Sequence, residues 1–134
     1  MSVNYECKTV ETLKQHIKQN TIVVVKLGAE WCAPCKMIAP KFTETGDNVH
    51  RHLRKFHEEG MENLPTCSFI SIDVDDICLD TGGKWGDQLQ CGGVPMFIVF
   101  FNGKTEDTFS GADMTPVNAC IENAIQQSLQ TTAV

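Results

Sequence analysis

Two cysteines in the run Trp31-Cys32-Ala33-Pro34-Cys35-Lys36 are the residues of this chain best suited to chemistry. They follow an apolar run from Ile22 to Leu27, a pattern that predicts a strand delivering two thiols to the first turn of a helix. Unpaired backbone N–H groups and the positive end of the helix dipole favour thiolate over thiol there. Cys32 leads the pair and is the expected nucleophile. Pro34 gives up no needed N–H in a first turn and fixes the backbone so that Cys35 stays within bonding reach. The chemistry this predicts is reversible thiol–disulfide exchange, with Cys32 attacking and Cys35 resolving.

Other readings of two cysteines at this spacing are half of a zinc site or a pair of buried small hydrophobes. Zinc usually needs a second close pair, and Cys7, Cys67, Cys78, Cys91 and Cys120 supply none. Inert burial does not explain a tryptophan directly before the pair and a proline inside it. His50, His52 and His57 lack an i,i+4 spacing and read as exposed helix residues. Asp73, Asp75 and Asp76 read as a solvated strand end without the spacing of a calcium loop. No metal and no cofactor is expected.

The elements that must position the pair follow from periodicity. Val3 to Lys8 reads as a short edge strand; Val10, Leu13 and Ile17 then define a first helix with Thr9 as its cap and Lys14, Gln15 and Lys18 facing out. Thr21 to Leu27 is valine-rich and apolar on both faces, as in the middle of a sheet. A helix from Pro34 meets Pro40, yet Phe42, Val49, Leu53 and Phe56 continue its stripe, so one long bent helix is expected, weakened at Gly46-Asp47 and basic outside at Arg51, His52, Arg54 and Lys55. Glu58 to Pro65 is a polar connector and Cys67 to Val74 an alternating strand. Ile77 to Gln90 has no long period. Met96 to Phe101 is a second apolar strand, Asn102-Gly103 a tight turn into Lys104 to Ser110, and Thr115-Pro116 opens a closing helix along Val117, Ile121, Ala124, Ile125 and Leu129, fraying at 131–134. The sum is an α/β sandwich, a mixed central β-sheet flanked by helices on both faces, in one domain over 1–134 with residues 1–2 frayed.

The 134 residues, 42% hydrophobic, suffice for one core and not for two. A net charge of −6 argues against nucleic acid or an anionic membrane as partner. No signal-peptide core or membrane span is present in the sequence, and seven cysteines, an odd number, suit a reducing cytoplasm better than a disulfide framework.

Val25 to Lys41, centred on Ala29-Glu30-Trp31-Cys32-Ala33-Pro34-Cys35-Lys36-Met37-Ile38-Ala39-Pro40, resembles the active-site segment of the thioredoxin family. Gly93-Val94-Pro95 is similar to that family's cis-proline loop, Phe100-Phe101-Asn102-Gly103-Lys104 to its last hairpin, and Gly111-Ala112 to the approach to its final helix. In that order the likeness covers most of the chain. It implies a thioredoxin-like fold, a cis Pro95, a Val94 backbone that pairs with an extended substrate like an added strand, and Trp31 flanking the groove. It also implies a protein-disulfide reductase acting on disulfide-containing client proteins, supplied with electrons by a thioredoxin reductase or another thiol donor, and working as a cytoplasmic monomer.

The chain departs from that pattern in three places. The family's buried aspartate, six residues before the nucleophile, is Lys26 here, on the same side of its strand as Val24. Lys26 must snorkel, find an anion or lose its proton. Charged, it would stabilise thiolate; neutral, it would stand in for the missing base; snorkelling, it would be structural. Gly28 replaces a usual tryptophan and leaves space for the enlarged segments near 58–66 and 77–90, and Phe69 falls where a buried lysine often partners the aspartate. Cys91, before Gly92 and Gly93, reads either as an accessory thiol at the rim or as a buried small hydrophobe; Cys120 reads as inward-facing and inert. Against a general reductase stand two rivals, a specialised oxidoreductase with few clients and a docking module with little turnover.

Overall fold

The computed structural model describes residues 4–77 and 93–132. Cys78, Cys91, Gly92, the segment 78–90 and the extreme termini lie outside the described residues. The elements are β1 (Asn4–Glu6), α1 (Val10–Gln19), β2 (Ile22–Gly28), α2 (Ala33–Glu58), β3 (Cys67–Asp73), α3 (Val74–Ile77), β4 (Met96–Phe101), β5 (Lys104–Ser110) and α4 (Thr115–Thr132). The five strands form one sheet in the order β1-β3-β2-β4-β5. β3 runs parallel to β1 and β2, while β4 is antiparallel to both β2 and β5. β2 is therefore the central strand, its Val25 opposite Ile70 on one side and Ile98 on the other.

Helices cover both faces. Leu13 of α1 packs on Val23, Val25, Leu27, Ile70 and Ile98, and Phe42 of α2 with Val117 and Ile121 of α4 packs on Val24, Phe69, Phe97 and Val99. Burial on both faces corrects the expected alternation in β3. Cys67 to Ile70 are all buried, because β3 lies inside the sheet between β1 and β2. The strand also stops at Asp73, whose Oδ1 accepts the Asp75 N–H at 2.8 Å and starts the short turn α3.

Local chemistry accounts for the element ends. Thr9 caps α1 by accepting the Thr12 N–H. Asn102 and Gly103 both take positive φ, 53° and 83°, as a two-residue hairpin turn requires. α2 passes through Pro40 as one helix. At its buried Gly46, a Cβ would lie 2.5 Å from Asn4 Oδ1, and the Asn4 amide donates to Thr43 O and Asp47 Oδ1. The glycine is thus the place where β1 docks on the helix. α4 differs from expectation at both ends. Asp113 Oδ1, not Thr115, supplies the capping oxygen, accepting the Thr115 N–H at 2.9 Å, since an aspartate two residues ahead reaches the free donor. The helix also continues through Thr132.

Candidate active site

β2 ends at Gly28, and the chain turns through Ala29 to Trp31 so that Cys32 becomes the N-cap of α2. Its backbone N–H donates to Ala29 O at 3.1 Å and its carbonyl accepts the Lys36 N–H. Its Sγ accepts the Cys35 N–H at 3.3 Å. The sulfur therefore occupies the position where a capping oxygen normally satisfies a free N–H, next to the positive end of a 26-residue helix. Cys32 and Cys35 are joined as a disulfide with Cα atoms 5.3 Å apart. Ala33 and Pro34, the first two residues of α2, face solvent between them.

Three further groups surround the pair. Trp31 is 69% exposed, and its indole N–H donates to Asp75 Oδ2 at 3.1 Å. The Val94–Pro95 peptide is cis; Val94 packs on the cluster that holds Cys32 and Cys35, Pro95 is buried, and Gly93 is exposed. Pro95 O accepts the N–H of Gly111 at 3.0 Å, which ties this loop to the end of β5. The sequence singled out neither Asp75 as Trp31's partner nor Met37, an apolar side chain 77% exposed on the first turns of α2.

Below the pair, the ends of β1, β2 and β3 and the start of α2 enclose an open cleft of about 470 Å³. Lys26, Gly28 and Cys35 all line it. A Cβ on Gly28 would sit 3.4 Å from Cys35 Cβ and 3.6 Å from its Sγ, so the β2 backbone packs close against Cys35 at the edge of this cleft. Lys26 is half-buried, with Nζ 5.7 Å from the centre of the Phe42 ring. Burial lowers its pKa from the ordinary 10.5, and the Glu6 carboxylate pulls it back up. Phe69, buried, packs edge-on against Phe42, so rings fill the region where a charged partner was looked for.

The other described cysteines stand apart from this centre. Cys67 is buried and its thiol is pushed up to about 12; Cys7 is buried and raised by the same desolvation. Cys120 is half-buried, raised by burial and then by Asp107 and Glu106. Among the described residues no three His, Cys, Asp or Glu side chains converge as a metal site, and no helix is long and apolar enough to cross a membrane.

The family model described as Thioredoxin matches residues 4–126. The chain is 33% identical over 106 residues to thioredoxin 1 of Plasmodium falciparum, covering 79% of this chain and 83% of that one. It is 30% identical over 114 residues to thioredoxin-1 of Saccharomyces cerevisiae, covering 85% and 91%. A solved Plasmodium falciparum thioredoxin superposes with a TM-score of 0.64 at 27% identity, over 89% of this chain and 97% of that one. Sequence, fold and paired thiols at a helix start agree: the chain belongs to the thioredoxin family and is a thiol–disulfide oxidoreductase, a protein-disulfide reductase.

Proposed function

We propose that Cys32 is the attacking thiol and Cys35 the resolving one. In the first step the Cys32 thiolate attacks a client disulfide, forming a mixed disulfide and releasing one client thiolate. Cys35 then loses its proton and attacks Cys32 Sγ, the bond from Cys32 to the client breaks, and the second client thiolate leaves. Two electrons pass to the client, and the pair ends as a disulfide. The observation that carries this assignment is the Cys32 sulfur at the N-cap of α2, accepting the Cys35 N–H, because those donors stabilise charge on that sulfur more than on any other among the described residues.

An extended client segment lies between Trp31 and Gly93-Val94-Pro95, pairing with the Val94 backbone, while the exposed rings and thioether of Trp31 and Met37 supply apolar contact. A thioredoxin reductase restores the dithiol. The protein acts in the cytoplasm as a monomer, with no nucleic-acid or membrane partner. The test is turnover of insulin disulfides driven by NADPH and a thioredoxin reductase. Cys32→Ser abolishes turnover, and Cys35→Ser traps a mixed disulfide with the client; wild-type turnover in the first variant, or no trapped species in the second, overturns the assignment.

A further inference from the structure

Lys26 and Cys35 line one cleft under the pair. Gly28 brings the backbone of β2 against Cys35, and Lys26, two residues earlier on the same face of the strand, lines the same space. Its neighbours across the sheet are Ser71 and Phe97, and its amine lies over the Phe42 ring, so none of these offers a negative charge to fix it. The anions at the cleft are Glu6, Glu30, Asp73 and Asp76, and its other cations are Lys8 and Lys36. Of these six, five are exposed and Asp73 is half-buried with its carboxylate engaged by the Asp75 N–H. Exposed charges are screened by solvent, whereas a half-buried one acts through a medium of lower dielectric.

We propose, on the reading that Cys35 resolves, that Lys26 is a positioning residue for that thiol: its ammonium charge, acting across the cleft both side chains line, favours the Cys35 thiolate and thereby sets the rate of resolution. The proton leaving Cys35 passes to solvent through the cleft, so Lys26 supplies charge and not a base. Burial opposes the charged form of Lys26 and the Glu6 carboxylate favours it, and the side chain is half-buried, not enclosed.

A cation close to a thiol shifts its ionisation by about one unit or more, about tenfold in thiolate. In a Cys32→Ser background, where Cys35 titrates alone, Lys26→Met is expected to slow alkylation of Cys35 by iodoacetamide at pH 7 about tenfold, while Lys26→Arg stays within about twofold of the lysine form. The pH dependence of that alkylation is expected to move with it, the Cys35 midpoint in Lys26→Met lying about one unit above that of the lysine and arginine forms. Lys26→Gln, which keeps a polar side chain at the cleft and removes only the charge, is expected to slow Cys35 as the methionine form does. Unchanged Cys35 reactivity in Lys26→Met, or an arginine variant that behaves like the methionine one, overturns the inference; if Lys26→Met does not fold, an unchanged Cys35 rate in Lys26→Gln does so. These readings are independent of turnover, so Cys32→Ser that kept wild-type turnover in the insulin assay would sink the assignment of the pair and not this inference alone.

Discussion

Cys7 and Cys67 lose water on folding, and their thiols are pushed up, Cys67 to about 12. A thiol so raised holds almost no thiolate at neutral pH, whereas a thiol at a helix start is held lower. Brief alkylation of the reduced, folded protein at pH 7 is therefore expected to label Cys32 first and to leave Cys7 and Cys67 unmodified until denaturant is added; mass mapping of the peptides reads this directly, and early label on Cys67 would contradict it. The reactive pair was legible in the sequence because everything that defines it is contiguous: an apolar strand, two thiols, a proline between. Lys26 was not, because its state depends on Glu6, Phe42 and the start of α2, residues far apart in the chain that only the fold brings around it. Of the three states open to it, the structure places it half-buried, reaching a cleft that also holds carboxylates.

Two contacts between elements make opposite demands on single residues. Gly46 inside α2 looks like a defect that alanine would mend by about 1 kcal/mol. Its missing Cβ, however, makes room for Asn4 of β1, whose amide donates to Thr43 O and Asp47 Oδ1. Displacing Asn4 forfeits two hydrogen bonds of about 0.5–1.5 kcal/mol each, so Gly46→Ala is expected to destabilise the protein by about 1 kcal/mol, and the same change in an Asn4→Ala background to stabilise it by a similar amount. Urea melts of the four proteins give the sign, and a stabilising Gly46→Ala in the wild type would refute the docking role. His16 of α1 joins the buried Ser68 hydroxyl at 2.9 Å and meets the Tyr5 ring at a tilt of 47°. Burial lowers its pKa below the ordinary 6.5, so the neutral ring is the form the fold prefers. Its contribution is present above about 6.5 and is lost as pH falls through the lower folded-state value. Wild type is expected to lose stability between pH 7 and 5 more steeply than His16→Gln; parallel losses would remove the histidine from that account. Helix and strand positions were readable from periodicity, and the turn at Asn102-Gly103 from its residue types. The docking of β1 at Gly46 and the Asp113 cap were not, since each is a contact between side chain and backbone that no hydrophobic pattern encodes.

At the scale of the molecule, the sheet order β1-β3-β2-β4-β5 makes β2 the middle strand, two strands from either edge, and β2 leads directly into the pair. Aromatic rings fix the face beneath α2. Phe97 of β4 and Phe69 of β3 both meet Phe42, with ring centres 5.9 and 5.6 Å away, and all three are buried. Phe97→Ala is expected to cost about 3–5 kcal/mol in a chemical melt; a loss under about 1 kcal/mol would show that these rings do not anchor α2. The layered arrangement of helices on both faces of a mixed sheet was legible from the alternation of periods, and the family's cis-proline loop from the motif Gly93-Val94-Pro95. The open space below Cys35 was not, since it arises where three strand ends and a helix start converge. Only the folded chain sets Cys32 at the amino end of α2, so only there is its thiolate stabilised. The measurement that tests this most directly is the pH dependence of Cys32 alkylation in the reduced protein, folded and then in urea. The folded midpoint is predicted to lie at least about one unit below that of the unfolded chain, which returns to the free-cysteine value of about 8.5; coincident midpoints would contradict the account.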